Sequence, residues 1–114
     1  PESSPPVNRV VVRKGTAISL IPVEEIKYLE AQDDYVMIHY KDGKALKQQT
    51  MRFYEEKLSK TDFVRIHRSY IVRVEEIKRI EPYGKDNHVA VLQSGDKLPV
   101  SRSSYKQLKE ELNF

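Results

Sequence analysis

Residues 63–72 read FVRIHRSYIV, a run of β-forming residues interrupted by three basic side chains and a serine. Successive side chains of an extended strand point to opposite faces, so Arg68 falls on the same face as Val64 and Ile66. An unpaired guanidinium buried on that apolar face would cost several kcal/mol. The run therefore predicts a strand that ends or bends at residues 67–69 and holds Arg68 at an exposed edge.

Short strand patterns continue on both sides of this run, and turn residues separate them. Gly15 and the Asp42-Gly43 pair suit the positive φ of tight hairpin turns. The predicted strands cover residues 9–13, 17–22, 26–31, 35–40, 45–49, 63–74, 77–83, 88–93 and 97–100. Because no long helices alternate with these strands, antiparallel sheets are favoured over parallel βαβ units. The sequence predicts a mostly β fold.

Two segments change from strand to helical periodicity. Met51, Tyr54 and Leu58 recur on one helical face, and Thr50 is placed to cap the start of that helix. A second, closing helix is predicted over residues 101–113, where several serines near the start suit an N-cap.

Arg102 lies in the first turn of the closing helix, where its charge opposes the helix dipole. A cation there costs up to about 1 kcal/mol, because the free N–H groups of a helix start favour anions. The position becomes favourable when a phosphate approaches those N–H groups and the guanidinium reaches a guanine edge. Arg102 is therefore a candidate nucleic-acid contact, and chance placement of the charge is the competing interpretation.

The length of 114 residues and the composition set the broad class of protein. Hydrophobic residues make up 39% and charged residues 32%, which indicates one globular domain with a modest core. The absence of cysteine argues against a disulfide framework and favours a cytoplasmic protein. Neither a membrane span nor a signal peptide is expected. A net charge of +3 is compatible with a polyanionic partner without requiring one.

The first residues are predicted to lie outside the domain. Residues 1–7 begin with PESSPP, which has no periodic apolar positions and is typical of an interdomain linker. The domain is expected to cover residues 8–114. The lack of an initiating methionine fits a piece of a longer chain, and processing would give the same result.

Common sequence motifs for metal binding, nucleotide binding and catalysis do not occur. The three histidines fall on separate predicted strands without cysteine, and neither GxGxxG nor GxxxxGK[ST] is present. We expect no metal site, no cofactor and no catalytic residue. The alternative to a non-catalytic domain is a hydrolytic enzyme that uses Asp33, Asp34 and His39. Against it, adjacent loop carboxylates usually point apart into solvent.

Three separated blocks carry a family resemblance. They are I-x-Y-L-E-A-x-x-D-Y-V-x-I from residue 26, F-x-R-x-H-R-S-Y-I-V from residue 63 and L-P-V-S-R-S-S-Y-x-x-L from residue 98. With the helix T-M-R-F-Y-E-E-K-L between the first two, they make the chain resemble the LytTR DNA-binding domain over residues 8–112. That domain is the output module of LytR/AlgR-type bacterial response regulators.

The resemblance implies an elongated stack of small antiparallel sheets with two short helices, in which loops rather than a recognition helix enter the DNA grooves. Base contacts in that family come from three loop regions, which correspond here to Tyr35, Arg68 and Arg102. The hydroxyls of Ser69 and Ser103 would lie against phosphate. Two of these loops coincide with the two arginines that stand out from the residues alone.

The function implied by the resemblance is sequence-specific binding of double-stranded DNA as the transcriptional output of a two-component system. It also implies an upstream receiver domain, whose phosphorylation would promote a homodimer on paired DNA sites. Arg73 stands where the family often has asparagine, and the sequence assigns no role to its charge.

Two further interpretations stay open. A β-rich module of this size can recognise a protein or peptide through an exposed strand edge. In a purely structural interpretation, Arg68 pairs with a nearby carboxylate, while Arg65 and Arg73 are ordinary surface charges.

Overall fold

The computed structural model describes residues 7–114, and most of its regular structure is β-strand. The predicted linker over residues 1–7 lies outside this range except for Val7, whose backbone N–H donates to the carbonyl of Lys57 at 3.0 Å. The strands are β1 (Arg9–Lys14), β2 (Ala17–Pro22), β3 (Ile26–Gln32), β4 (Tyr35–Tyr40), β5 (Gly43–Lys47), β6 (Phe63–His67), β7 (Tyr70–Arg73), β8 (Ile77–Pro82), β9 (His88–Leu92) and β10 (Lys97–Val100). The helices are α1 (Met51–Lys57) and α2 (Arg102–Leu112).

Within residues 7–114 these strands form three antiparallel sheets. Strands β1 and β2 make a hairpin, β8 to β10 make a three-stranded sheet, and the others make a five-stranded sheet of order β5-β4-β3-β7-β6. The molecule measures 47 × 36 × 24 Å along its principal axes, so it is elongated. The predicted mostly β fold with small antiparallel sheets and two short helices is confirmed.

The five-stranded sheet lies between two hydrophobic cores. The first core joins one face of this sheet to the β1–β2 hairpin and α1, and the second joins the other face to the three-stranded sheet and α2. The first core consists of Val10, Val12, Ile21, Ile26, Leu29, Val36, Ile38, Ala45, Met51, Tyr54, Leu58, Phe63 and Ile71. The second core consists of Val64, Ile66, Val72, Ala90, Leu92, Leu98, Val100 and Leu108.

Strand β6 contributes side chains to both cores. Phe63 belongs to the first core, whereas Val64 and Ile66 belong to the second, as the alternation of a strand predicts. The strand ends at His67, and β7 follows after a two-residue turn. The single strand predicted over residues 63–74 is therefore two antiparallel strands, and the predicted bend between them is confirmed.

Arg73 has a structural role that the sequence did not indicate. Its Nε donates to the carbonyl of Ile26 at 2.8 Å, and its Nη2 donates to the carbonyl of Val23. The guanidinium also lies over the ring of Phe63, 4.6 Å from the ring centroid. Arg73 thus joins the end of β7 to the start of β3, and it is not an ordinary surface charge.

Candidate nucleic-acid interface

Arg68 and Ser69 form the turn between β6 and β7, and neighbouring side chains hold its backbone. Arg65 Nε donates to the carbonyl of His67 at 3.2 Å, and Arg65 Nη2 donates to the carbonyl of Arg68. The backbone N–H of Ser69 donates to His67 Nδ1 at 3.1 Å. The turn is therefore ordered by local hydrogen bonds, while Arg68 itself is exposed.

The start of α2 is tied to β6 by a backbone hydrogen bond. The N–H of Ser101 donates to the carbonyl of Ile66 at 2.8 Å. Ser101 Oγ accepts from the N–H of Ser104 at 3.2 Å, which is the N-cap bond of the helix. This cap fixes the position of Arg102 and Ser103, which are both exposed.

Two neighbouring clefts connect the β6–β7 turn to the start of α2. One, of about 440 Å³, is bordered by Arg68 and Ser103. The other, of about 580 Å³, is bordered by Arg102. His67 and Ser101 border both clefts, so the two arginines stand on either side of these shared residues.

Arg68 and Arg102 are not neutralised by other described residues. The ion pairs found within residues 7–114 involve other side chains. The structural interpretation, in which Arg68 pairs with a carboxylate, is therefore wrong for this part of the chain. A free guanidinium can donate in a fork to phosphate oxygens or to the O6 and N7 acceptors of guanine.

Tyr35 lies at the same end of the five-stranded sheet but in a different cleft. It begins β4 opposite Gln32, and it is 41% exposed. One residue earlier in β3, the N–H of Ala31 donates to the carbonyl of Ser69 at 2.9 Å, which connects this end of the sheet to the turn. The cleft beside Tyr35 is bordered by Asp33 and other residues, and Arg68 and Arg102 do not border it. The structure thus brings four of the five predicted contact residues to one region and leaves Tyr35 two strands away.

Several residues that border these clefts were not identified from the sequence. His67 belongs to the FVRIHRSYIV run, but nothing in the sequence showed that it borders both clefts. Tyr83, Asn87 and Lys97 border the Arg102 cleft, and Tyr83 is 66% exposed. They come from the β8–β9 turn and the start of β10, so their proximity to Arg102 depends on how the three-stranded sheet docks.

A cluster of polar and aromatic side chains lies on strands β3, β4 and β7 of the five-stranded sheet. His39 Nε2 lies 3.0 Å from Glu30 Oε1, and the His39 ring stacks on Tyr28 with centroids 4.1 Å apart. The hydroxyl of Tyr70 donates to Glu30 Oε2 at 3.4 Å. Burial raises the pKa of Tyr28 to about 12, and burial together with Glu30 raises the pKa of Tyr70. Both phenols are therefore neutral at neutral pH and contribute no charge to the cluster. The cluster joins β3, β4 and β7 by ring packing and hydrogen bonds.

The residues of the enzyme alternative lie apart along the β3–β4 hairpin. Asp33 and Asp34 form the turn, and His39 lies roughly 15 Å further along β4 at the usual rise of a strand. Among residues 7–114, no group of three or more His, Asp or Glu side chains is placed to hold a metal ion. No helix in the same part of the chain combines the length and apolar character that a membrane span requires.

The family model of the LytTr DNA-binding domain matches residues 16–113. The chain belongs to the LytTR DNA-binding domain family. The resemblance seen in the three sequence blocks is thereby confirmed.

Relatives of this LytTR domain are regulatory proteins. The sensory transduction protein LytT of Bacillus subtilis (strain 168) is 31% identical over 107 residues, which cover 94% of this chain and 44% of the relative. The transcriptional regulatory protein LytR of Staphylococcus aureus (strain N315) is 28% identical over 85% of this chain and 39% of the relative. This LytTR domain therefore spans less than half the length of these relatives.

A solved structure has the same fold. The LytTr DNA-binding domain of a response regulator from Bacillus cereus matches with a TM-score of 0.85 and 27% identity. The match covers 95% of this chain and 99% of that chain. The arrangement of sheets and helices described above is thus that of the LytTR family.

Proposed function

We propose that this LytTR domain binds double-stranded DNA in a sequence-specific manner, as the transcriptional output of a two-component response regulator. The observation that carries the proposal is the pair of exposed arginines without ion-pair partners among residues 7–114, Arg68 and Arg102, on either side of His67 and Ser101. A duplex offers phosphates and base edges to such a surface together, so the same cations contribute to affinity and to specificity.

Arg102 and Arg68 are the proposed base contacts of the two adjoining clefts. We assign Arg102 to a guanine in the major groove, because a guanidinium matches the O6 and N7 acceptors with two parallel hydrogen bonds. Arg68 contacts a groove edge nearby. Ser103 and Ser69 donate their hydroxyls to phosphates beside these arginines, and the first N–H groups of α2 add anion-binding donors beside Ser103.

Tyr35 is the third proposed base contact. Its exposure at the end of the five-stranded sheet supports this assignment. Asp33 and Asp34 border the same cleft and would repel a phosphate backbone. Tyr35 is therefore assigned to a base edge, and the two carboxylates keep the backbone away from this loop.

The proposal extends to the longer protein. The relatives are about twice as long as this chain and are named as sensory transduction and transcriptional regulatory proteins, which supports a receiver domain upstream. We propose that residues 1–7 link that domain to a DNA-binding unit over residues 8–114, and that phosphorylation favours a homodimer on paired sites. A role in transcription requires access to the chromosome, so we assign the protein to the cytoplasm.

Selection of bound fragments from random duplex DNA tests the proposed function. The expected result is an enriched motif, with an affinity that falls about a thousandfold or more between about 50 and 200 mM salt if several phosphates are contacted. A protein- or peptide-binding module would enrich no motif and would show little salt dependence. Cleavage of the labelled duplex after addition of Mg²⁺ would instead indicate an enzyme, and either outcome would overturn the proposal.

A further inference from the structure

Arg65 is a partly buried cation that contacts two different elements. Its Nη1 donates to Glu55 Oε1 at 2.6 Å, and Glu55 belongs to α1. Its Nε donates to the carbonyl of His67 at 3.2 Å, and its Nη2 donates to the carbonyl of Arg68. The side chains of Arg65 and Glu55 are 25% and 46% exposed. One guanidinium therefore connects α1 to the turn that carries Arg68.

The contacts of Arg65 lie at the centre of the turn, where they add to the hydrogen bond that the N–H of Ser69 donates to His67 Nδ1. The two ends of the turn are held by neighbouring elements, because Ala31 N–H donates to the carbonyl of Ser69 and Ser101 N–H donates to the carbonyl of Ile66. Between these points the two carbonyls that Arg65 contacts belong to the two successive peptide units on either side of the Cα of Arg68. A planar guanidinium that binds both carbonyls fixes the orientation of these two peptide units relative to each other. The direction in which the Arg68 side chain leaves the backbone is fixed with it.

Glu55 is an unexpected residue beside a DNA-binding surface. Its side chain borders the same cleft as Arg68 and Ser103, where a carboxylate repels phosphate. A charge-assisted hydrogen bond to Arg65 at 2.6 Å gives the carboxylate a different function. It orients the guanidinium so that the remaining nitrogens face the turn.

We infer that the Glu55–Arg65 pair positions Arg68 for base recognition, and this inference rests on the proposed function. Arg65 is a positioning residue that acts through the turn backbone, and Glu55 acts through Arg65. The specificity of the domain therefore depends on a residue of α1 that does not itself contact a base. Lysine cannot replace Arg65, because an ammonium lacks the planar fork that reaches both carbonyls and the carboxylate together.

The test compares Arg65→Lys, Arg65→Gln and Glu55→Gln on a selected site and on a scrambled duplex. Each variant should lower the preference for the selected site by about tenfold, since each removes or weakens a charge-assisted hydrogen bond of the guanidinium that orders the turn. Glu55→Gln should raise the affinity for scrambled DNA, because it removes a negative charge from the surface. The double variant Arg65→Gln/Glu55→Gln should lose no more preference than Arg65→Gln alone, because the two residues act as one unit.

Glu56→Gln is the matched control for the loss of a carboxylate from α1. Glu56 pairs with Arg52 at 3.3 Å on an exposed surface, with side chains 59% and 85% exposed. This variant changes the net charge as Glu55→Gln does, but it should leave the preference for the selected site unchanged.

A direct phosphate contact by Arg65 would give a different result and would overturn the inference. In that case Arg65→Gln weakens binding to both duplexes equally and lowers the slope of affinity against salt by about 1. Glu55→Gln then strengthens binding to both duplexes equally, and the preference for the selected site stays as in the wild type.

Amide hydrogen exchange in the free protein tests the positioning without DNA. The N–H of Ala31 is bonded to the turn carbonyl of Ser69, so its exchange reports whether the turn is held in place. Arg65→Gln and Glu55→Gln should speed this exchange by about tenfold, whereas Glu56→Gln should not. Unchanged exchange in both variants would overturn the positioning role even if the domain binds DNA. Failure of the wild type to bind any duplex would overturn the proposed function, and the exchange result would still decide the role of Arg65.

Discussion

At the scale of single residues, three arginines of one short segment differ in their contacts. Arg65 binds turn carbonyls and a carboxylate, and Arg73 binds the backbone of Val23 and Ile26. Arg68 lies between them in sequence and has no ion-pair partner within residues 7–114. The formal charge is the same in all three residues, so it does not indicate which guanidinium is left free to bind a partner; the hydrogen bonds that each one makes do.

Arg102→Ala tests base recognition by one side chain. The loss of a forked contact to guanine should cost about 1 to 3 kcal/mol on the selected site and relax the preference at one base pair. The stability of the domain should stay the same or rise slightly, because the cation opposes the dipole of α2. Fluorescence anisotropy with the selected site and its single-base variants measures both affinity and preference.

Arg13→Ala is the control for this experiment. Arg13 lies exposed on the β1–β2 hairpin and borders neither cleft of the candidate interface, so its loss should leave the base preference unchanged. Equal losses for Arg102→Ala on selected and scrambled duplexes would contradict base recognition by Arg102.

At the scale of elements, α2 is placed by its first turn. Ser101 serves two purposes, since its N–H bonds to β6 and its hydroxyl caps the helix. Leu108 then packs in the second core, and Tyr105 stacks on His88 with ring centroids 3.7 Å apart. Ser101 therefore has two structural contacts, whereas Ser103, two positions later, is exposed to solvent.

Ser101→Ala and Ser103→Ala separate the capping of α2 from the proposed phosphate contact. Loss of the cap in Ser101→Ala should reduce the free energy of unfolding by about 1 kcal/mol. Ser103→Ala should leave that free energy unchanged and weaken binding to all duplexes by a similar factor, because a phosphate contact carries no sequence information. Urea unfolding measures the free energy of unfolding, and duplex titration measures the affinity. Unchanged duplex affinity in Ser103→Ala would contradict the proposed phosphate contact of Ser103.

At the scale of the whole molecule, the central sheet connects the interface to both cores. The turn that carries Arg68 leaves a strand whose side chains enter the first core at Phe63 and the second core at Ile66. Movement of this strand disturbs packing on both faces, so the turn is presented from a rigid support. Tyr54 is a large member of the first core and is only 2% exposed, which makes it a probe of the packing of the whole domain.

Alkaline unfolding provides a test of that packing. Burial raises the pKa of Tyr54 from 10.0 to about 12, so the fold favours the neutral phenol. The stabilisation is complete below the pKa of the unfolded chain and is lost as the pH rises through the pKa of the folded protein. Relative to Tyr54→Phe, the wild type should lose about 2 kcal/mol of unfolding free energy by about pH 12. Urea unfolding of both proteins between about pH 10 and pH 12 measures this difference in unfolding free energy. If the unfolding free energies of the wild type and Tyr54→Phe change with pH in parallel, the fold does not hold the phenol neutral.

The sequence by itself determined the features that depend on neighbours a few residues away. The hairpin turns, the cap at Thr50, a serine cap for the closing helix and the bend after His67 all follow from turn geometry, capping preference and the cost of burying Arg68. Which serine serves as that cap, Ser101, was decided by the structure. The three sequence blocks are also sufficient to indicate the family, because they occur in order at characteristic positions.

Tertiary structure alone decided which cations are free and which loops meet. Arg65 pairs with Glu55 ten residues earlier on another element, and the acceptors of Arg73 lie 47 and 50 residues away. The sequence could not show that Ser103 shares a cleft with Arg68 while Tyr35 faces another. These relations depend on how the sheets and helices dock across two cores, and that docking arises from the burial of many side chains that are distant in sequence.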